Sequence, residues 1–200
     1  MEEKTLGSYA YGEIRQQVLK ARELKSAVLF KKLFTEVPNW DAFINHLNVQ
    51  LNRTEAASIP NAPLKEHVLN GVVKRNDSFF YFYTHKGWYF EDFPEVGKIM
   101  DAFNEILSED YGRQVCNPAG AFMNFAAEDF KVPSHGDDRE TLFWQCIGTT
   151  TWNFREPDSF GAGEPFLSVT MEPGDCVYVG HWVEHEVIFN GPRAGIAFNV

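Results

Sequence analysis

Two histidines and one carboxylate carry the most pointed chemistry in this chain. His135 and Asp137 stand in His135-Gly136-Asp137, and His185 follows fifty residues later. Two imidazoles and a carboxylate can cap one face of an octahedral iron(II) ion, leaving the other face open for a cosubstrate and oxygen. In an extended segment residues i and i+2 point to the same side, so His135 and Asp137 can converge on one ion. Gly136 between them lets the backbone come close. The third ligand must come from a distant strand. His181 competes with His185 for that place, and Asp138 with Asp137, although the i+2 geometry favours Asp137. The same segment, 134–140, also reads as a charged, solvated turn.

The elements that must position these residues fall into two textures. Residues 9–34 read as a helix on Ile14, Val18, Leu24, Val28, Leu29 and Leu33. A second helix is expected after Pro38, with Asn39 as its cap and Trp40, Phe43, Ile44, Leu47 and Leu51 on one face. Pro60 and Pro63 mark 52–66 as loop. The runs 67–74 and 79–85 flank Asn76-Asp77-Ser78 and read as a hairpin. A third helix fits 94–108. From Ala119 onward short apolar runs alternate with turn residues: 121–126, 141–147, 150–154, 166–170, 176–179, 186–189 and 195–200. Many short strands at near-regular spacing predict a sandwich or barrel. The expected layout is an N-terminal region of helices and a hairpin, 1–118, packing on a β-domain, 119–200, as one integrated domain. Every candidate metal ligand lies in the β-domain.

Composition bounds the function. The chain has 200 residues, 44% hydrophobic and 15% aromatic, enough for one sizeable core. Its formal charge of -10 argues against a nucleic-acid binder, which would carry a basic face. Cys116, Cys146 and Cys176 form no CxxC pair, a sparse, odd count that suits a reducing cytosol. The acidic, polar start MEEKTLGSYAYGE is no secretory signal, and no apolar run is long enough to span a membrane. A cytoplasmic location and no membrane partner are expected. Asn124 and Asn199 read as structural hydrogen-bonders in apolar strands. Tyr81, Tyr83, Trp40, Trp88 and Trp144 read as packing residues, and Lys31-Lys32 as a solvated helix face.

Around the triad the sequence resembles the JmjC-type, cupin-fold iron(II)/2-oxoglutarate oxygenases. Their first motif is a histidine, any residue and an acid, then an apolar strand with a glutamine, a glycine and an aromatic. Here Gln145, Gly148 and Trp152 fall at the family spacing after His135-Gly136-Asp137. Their second motif is Pro-Gly-Asp, an aromatic three residues on, and a histidine ten residues after the Asp. Pro173, Gly174, Asp175, Tyr178 and His185 meet it, and that spacing selects His185 over His181.

The resemblance covers about residues 119–200. It implies a double-stranded β-helix, a jelly-roll barrel of eight strands, and an Fe(II) centre on His135, Asp137 and His185. It also implies 2-oxoglutarate as cosubstrate and O2 as oxidant. The expected activity is hydroxylation or demethylation of a protein side chain or a small molecule. A metal-binding cupin, an isomerase or a dioxygenase without 2-oxoglutarate, is the alternative.

One departure bears on the cosubstrate. Many relatives carry a lysine or arginine two residues after the motif glycine, facing the distal carboxylate of 2-oxoglutarate. That position is Thr150, which can donate one hydrogen bond but cannot neutralise a carboxylate. Arg193, after the Asn190-Gly191-Pro192 turn, is the expected replacement, since its planar fork suits a bidentate grip. Other iron/2-oxoglutarate oxygenases place an arginine similarly, often as Arg-x-Ser; here Arg193-Ala194-Gly195 lacks the serine. Thr141 is expected near the other end of the cosubstrate. The chain stops at the last strand, without the C-terminal helical region many protein hydroxylases use to dimerise, so a monomer or small homo-oligomer is expected.

Overall fold

A computed structural model describes residues 4–52, 79–83, 93–111, 116–124 and 130–200. The chain opens with a two-residue ladder, β1 (Thr5–Leu6) against β2 (Tyr9–Ala10), then α1 (Tyr11–Glu23). Ile14, Val18 and Ala21 lie one turn apart and are buried, so α1 docks by a single stripe. The helix expected over 9–34 therefore ends eleven residues early. Leu24 is 60% exposed, off the buried stripe, and Lys25 turns the chain through a φ of 46°. Ala27–Phe30 then forms a strand, β3. Four consecutive apolar residues fit strand or helix equally well, and pairing with a buried neighbour decided for the strand.

The helix expected after Pro38 is α2 (Trp40–Asn52), and Asn39 caps it: the Ala42 N–H donates to Asn39 Oδ1 at 3.0 Å. The third helix, α3 (Pro94–Tyr111), buries Val96, Ile99, Phe103, Ile106 and Leu107 and runs three residues beyond the expected end. Of the expected hairpin, Phe79–Tyr83 is a strand, β4. Of the loop expected over 52–66, Asn52 ends α2 and the rest lies outside the described residues, as do the run 67–74, Trp88 and the side chains of Tyr81, Tyr83 and Asn124.

The remaining strands are β5 (Asn117–Asn124), β6 (Phe130–His135), β7 (Thr141–Ile147), β8 (Thr150–Arg155), β9 (Leu167–Met171), β10 (Cys176–Val179), β11 (Glu184–Phe189) and β12 (Arg193–Asn199). They fold as a double-stranded β-helix. One sheet has the order β3-β10-β7-β12-β5-β4 and the other β6-β11-β8-β9, with every neighbour antiparallel. Eight strands, β5 to β12, make the jelly roll, and β3 and β4 extend one sheet at its two edges. Among the described residues the two sheets face each other without closing into a hydrogen-bonded barrel, as the expected jelly roll.

Burial explains the strand sequences. In the six-stranded sheet β7, β10 and β12 are buried almost without interruption, because both faces are covered. The helices press Ile14, Val18, Ile99 and Phe103 against Trp144, Cys146, Tyr178, Ile196 and Phe198 on the outer face. The inner face gives Phe143, Val177, Val179 and Ala197 to a second core, with Trp152, Phe154, Met171, Val187 and Phe189 from the opposing sheet. In the four-stranded sheet β8 alternates buried and half-buried positions, because its outer face is open. Each fully buried large side chain contributes about 1.5–3 kcal/mol.

The strand β6, which ends on the first candidate ligand, had no apolar signature. Phe130-Lys131-Val132-Pro133-Ser134-His135 carries a proline and three polar residues. It tolerates Pro133 because it lies at the edge of its sheet, where a missing N–H leaves no ladder bond broken.

The Pro-Gly-Asp turn has a structural use. The buried Asp175 carboxylate accepts the Lys31 ammonium at 2.7 Å and the backbone N–H groups of Lys32 and Glu172, both at 2.8 Å. A Cβ on Gly174, whose φ is 95°, would meet the Phe34 carbonyl oxygen at 2.3 Å. The turn thus clasps the segment that follows β3. Lys31 and Lys32 are not on a solvated helix face: Lys31 pairs with Asp175, and Lys32 lies 3.2 Å from Glu172.

Candidate metal centre

The two histidines meet because β6 and β11 are paired. His135 and His185 are direct cross-strand partners, and their ring centroids lie 4.4 Å apart. Asp137 follows in the turn after β6. Its backbone carbonyl accepts the Trp182 N–H at 3.0 Å, tying that turn to the one that leads into β11. A Cβ on Gly136 would come within 3.0 Å of the Trp182 carbonyl oxygen, so a bare α-carbon allows the approach. Asp137 Oδ2 lies 3.8 Å from His185 Nε2, and one donor atom from each of the three residues falls within 4.8 Å of the others. His181 and Asp138 stay outside this group; both are exposed, and Asp138 pairs with Arg139 at 2.9 Å.

Both imidazoles are arranged to offer the same nitrogen. His135 Nδ1 lies 2.9 Å from the Pro133 carbonyl and His185 Nδ1 lies 3.1 Å from the Val183 carbonyl. A carbonyl only accepts, so each Nδ1 carries a proton, and in the neutral ring the lone pair falls on Nε2. Burial lowers the His185 pKa below 6.5, helped by the neighbouring His135. The Val183 carbonyl and the carboxylates of Asp137 and Glu184 pull weakly the other way. The neutral, metal-competent imidazole is therefore the favoured form. Two imidazoles and a carboxylate with one open side fit a divalent first-row metal.

Around the triad lies a cavity of about 490 Å³ between the two sheets, walled by Phe122, Val132, Phe143, Trp152, Val179 and Val187. Arg193 reaches it from the start of β12. Its side chain is 2% exposed and rests on the ring faces of Phe189 at 4.3 Å and Phe143 at 5.5 Å. Its Nε and Nη1 are buried and have no hydrogen-bond partner among the described residues. Burial without a counter-ion pushes the guanidinium down from 12.5 to about 9. An unpaired buried cation is costly, and a carboxylate entering the cavity would relieve it.

Thr141 lines the cavity as well. Asn199, read from sequence as structural, lines it too; strand register puts it beside Thr141 on β7. Thr150 does not line it. The Thr150 side chain is fully buried, donating to Gln145 Oε1 and accepting from Trp152 Nε1, both at 3.0 Å. A hydroxyl with both functions engaged inside the protein is not offered to a ligand.

Four further residues shape the site, and of these only Trp152 carried a sequence signal, its motif spacing. Trp152 stacks on His185 at 5.4 Å and 19°. Glu184, next to His185, accepts hydrogen bonds from Ser134, Ser159, Phe160 N–H and Gly161 N–H at 2.6–3.2 Å. Burial raises its pKa, but these four donors outweigh it and hold the carboxyl below 4.5. Trp182 and Phe160 both have positive φ, 61° and 52°, and both present exposed rings. For bulky side chains that conformation is strained and needs support, which Asp137 and Glu184 supply through backbone bonds.

The chain matches no protein-family profile and no curated protein sequence. Its fold is similar to that of solved structures of YcfD, a ribosomal oxygenase from Escherichia coli. The YcfD complex with cobalt and 2-oxoglutarate aligns at a TM-score of 0.53 and 14% identity, over 92% of this chain and 51% of that one. The complex with cobalt and succinic acid aligns at 0.52 and 13%, over 92% and 50%. A further YcfD crystal structure aligns at 0.53 and 13%, over 100% and 55%. This chain thus spans about half the length of the YcfD chains it resembles.

Proposed function

We propose that this protein is an iron(II)- and 2-oxoglutarate-dependent oxygenase, with His135, Asp137 and His185 as metal ligands and Arg193 as the anchor of the cosubstrate's distal carboxylate. The observation that carries the reading is the buried Arg193 guanidinium, its Nε and Nη1 unpartnered among the described residues, in the same cavity as the triad. A bare metal site has no need of that cation, and a dicarboxylate that also binds metal explains both. The YcfD complex that holds cobalt with 2-oxoglutarate, in a similar fold, supports it.

The residues divide the work by their surroundings. His135 and His185 present Nε2 donors, and Asp137 adds an anionic oxygen that offsets the metal's charge. Arg193 offers two N–H donors in one plane to a carboxylate. Thr141 and Asn199 stand where they can hydrogen-bond the cosubstrate's oxygens. The apolar walls exclude water and strengthen each charged contact. Bound iron with 2-oxoglutarate and O2 would supply the oxidising power to hydroxylate or demethylate a protein side chain or a small molecule.

The test is spectroscopic. The protein, loaded anaerobically with Fe(II), should develop a weak visible metal-to-ligand charge-transfer band when 2-oxoglutarate is added. Bound iron without that band would overturn the reading and leave a metal-binding cupin that works without 2-oxoglutarate.

A further inference from the structure

We infer that Gln145, Thr150 and Trp152 form a positioning relay that sets the plane of the His185 ring. The inference rests on the proposed role of His185 as a ligand and extends it to residues that touch no metal.

The relay has only one arrangement of donors and acceptors. Gln145 Nε2 donates to the carbonyls of Ile147 at 2.8 Å and Gly148 at 3.2 Å, so its Oε1 must face the other way. Thr150 donates its hydroxyl proton to that oxygen at 3.0 Å. The hydroxyl oxygen then accepts the Trp152 indole N–H at 3.0 Å. An indole nitrogen donates only, and a glutamine amide fixed by two carbonyls cannot flip, so no member can reverse. Gln145 and Thr150 are fully buried and Trp152 is nearly so, where a broken bond is costly.

The indole at the end of the relay is held in its plane as well. Phe143 approaches it from the opposing sheet at 5.1 Å, and Phe154 stacks near it at 5.9 Å. On β11 its direct partner is Val187, which puts His185 on the diagonal, within reach of an aromatic ring. The indole lies nearly parallel to the imidazole, 19° apart. His185 therefore has two constraints: the Val183 carbonyl holds Nδ1, and the Trp152 face holds the ring plane. Together they aim Nε2 into the cavity. His135 is exposed, with Nδ1 held by the Pro133 carbonyl.

The relay accounts for the residue at position 150. A threonine stands where the resemblance leads one to expect a cation, and its hydroxyl serves the indole instead of the cosubstrate.

Thr150→Val removes the hydroxyl at nearly constant volume, and Thr150→Ser restores it. Trp152→Phe keeps an aromatic face but loses the N–H link together with part of the ring. In the metal-free protein, long-range proton–nitrogen spectra of the histidine rings should show displaced His185 resonances in Thr150→Val and wild-type positions in Thr150→Ser. Titration with Co(II) should show affinity lowered roughly 10-fold in Thr150→Val and recovered in Thr150→Ser. Loss of thermal stability with His185 resonances and cobalt affinity unchanged would make the three residues packing only and overturn the relay. If Thr150→Val does not fold, Trp152→Phe decides by the same two readouts. If the wild type takes up no cobalt while the His185 resonances still move, the metal reading fails and the relay stands.

Discussion

At the scale of single residues, Arg193 and His185 make the sharpest statements. The Arg193 guanidinium is buried on two phenyl rings with Nε and Nη1 unpartnered among the described residues, so it is a cost to the folded protein until an anion arrives. Arg193→Met should stabilise the ligand-free protein by about 1–3 kcal/mol in urea unfolding, since an apolar side chain replaces an unpaired charge. The same variant should weaken 2-oxoglutarate binding at least ~10-fold by calorimetry, with metal affinity unchanged. Destabilisation with unchanged cosubstrate affinity would show that the guanidinium serves the fold. His185 and His181 were rivals on residue type alone. The structure puts His185 against His135 and Asp137, while His181 is exposed. His185→Ala should abolish cobalt binding, and His181→Ala should leave it within about twofold. The reverse result would exchange their roles.

At the scale of elements, turns hold the site together. Gly148 closes the turn between β7 and β8 at a φ of 68°, and a Cβ there would lie 2.2 Å from the Pro192 carbonyl oxygen. That contact belongs to the turn that launches β12 and Arg193. Gly148→Ala should cost more than about 2 kcal/mol, read as a lower urea midpoint. A variant as stable as the wild type would show that this close approach is not needed. Strand existence was legible where apolar runs were bounded by turn residues: 141–147 and 176–179 match their strands residue for residue. It was illegible in β6, where an edge position tolerates Pro133, and in β3, where an apolar run continued a helical rhythm. Both depend on the neighbour a segment finds, which local pattern does not contain.

At the scale of the whole molecule, the central strands of the six-stranded sheet are buried on both faces, with Cys146 and Cys176 sealed within them and Cys116 buried just before β5. Burial pushes the Cys116 thiol up to about 12, and Cys146 and Cys176 well above 9.0. The folded state keeps protons that an unfolded chain releases near 9.0. Their contribution is therefore full below that pH and is lost as pH climbs toward 12. Stability should fall above about pH 9, and alkylation near pH 8 should proceed no faster than unfolding. A fast-reacting thiol in the native protein would contradict this burial. Among the described residues no helix is long and apolar enough to cross a membrane. The sequence by itself determined the residue types at the site, the i+2 pairing of His135 with Asp137, and the alternation of short strands and turns. These are local properties, set by side-chain chemistry and backbone period. Only the tertiary structure decided that His185 faces His135 across a ladder, that Thr150 is spent inside the core, and that Arg193 and Asn199 share the triad's cavity. Those facts depend on which strands become neighbours, and that follows from burying both faces of one sheet at once.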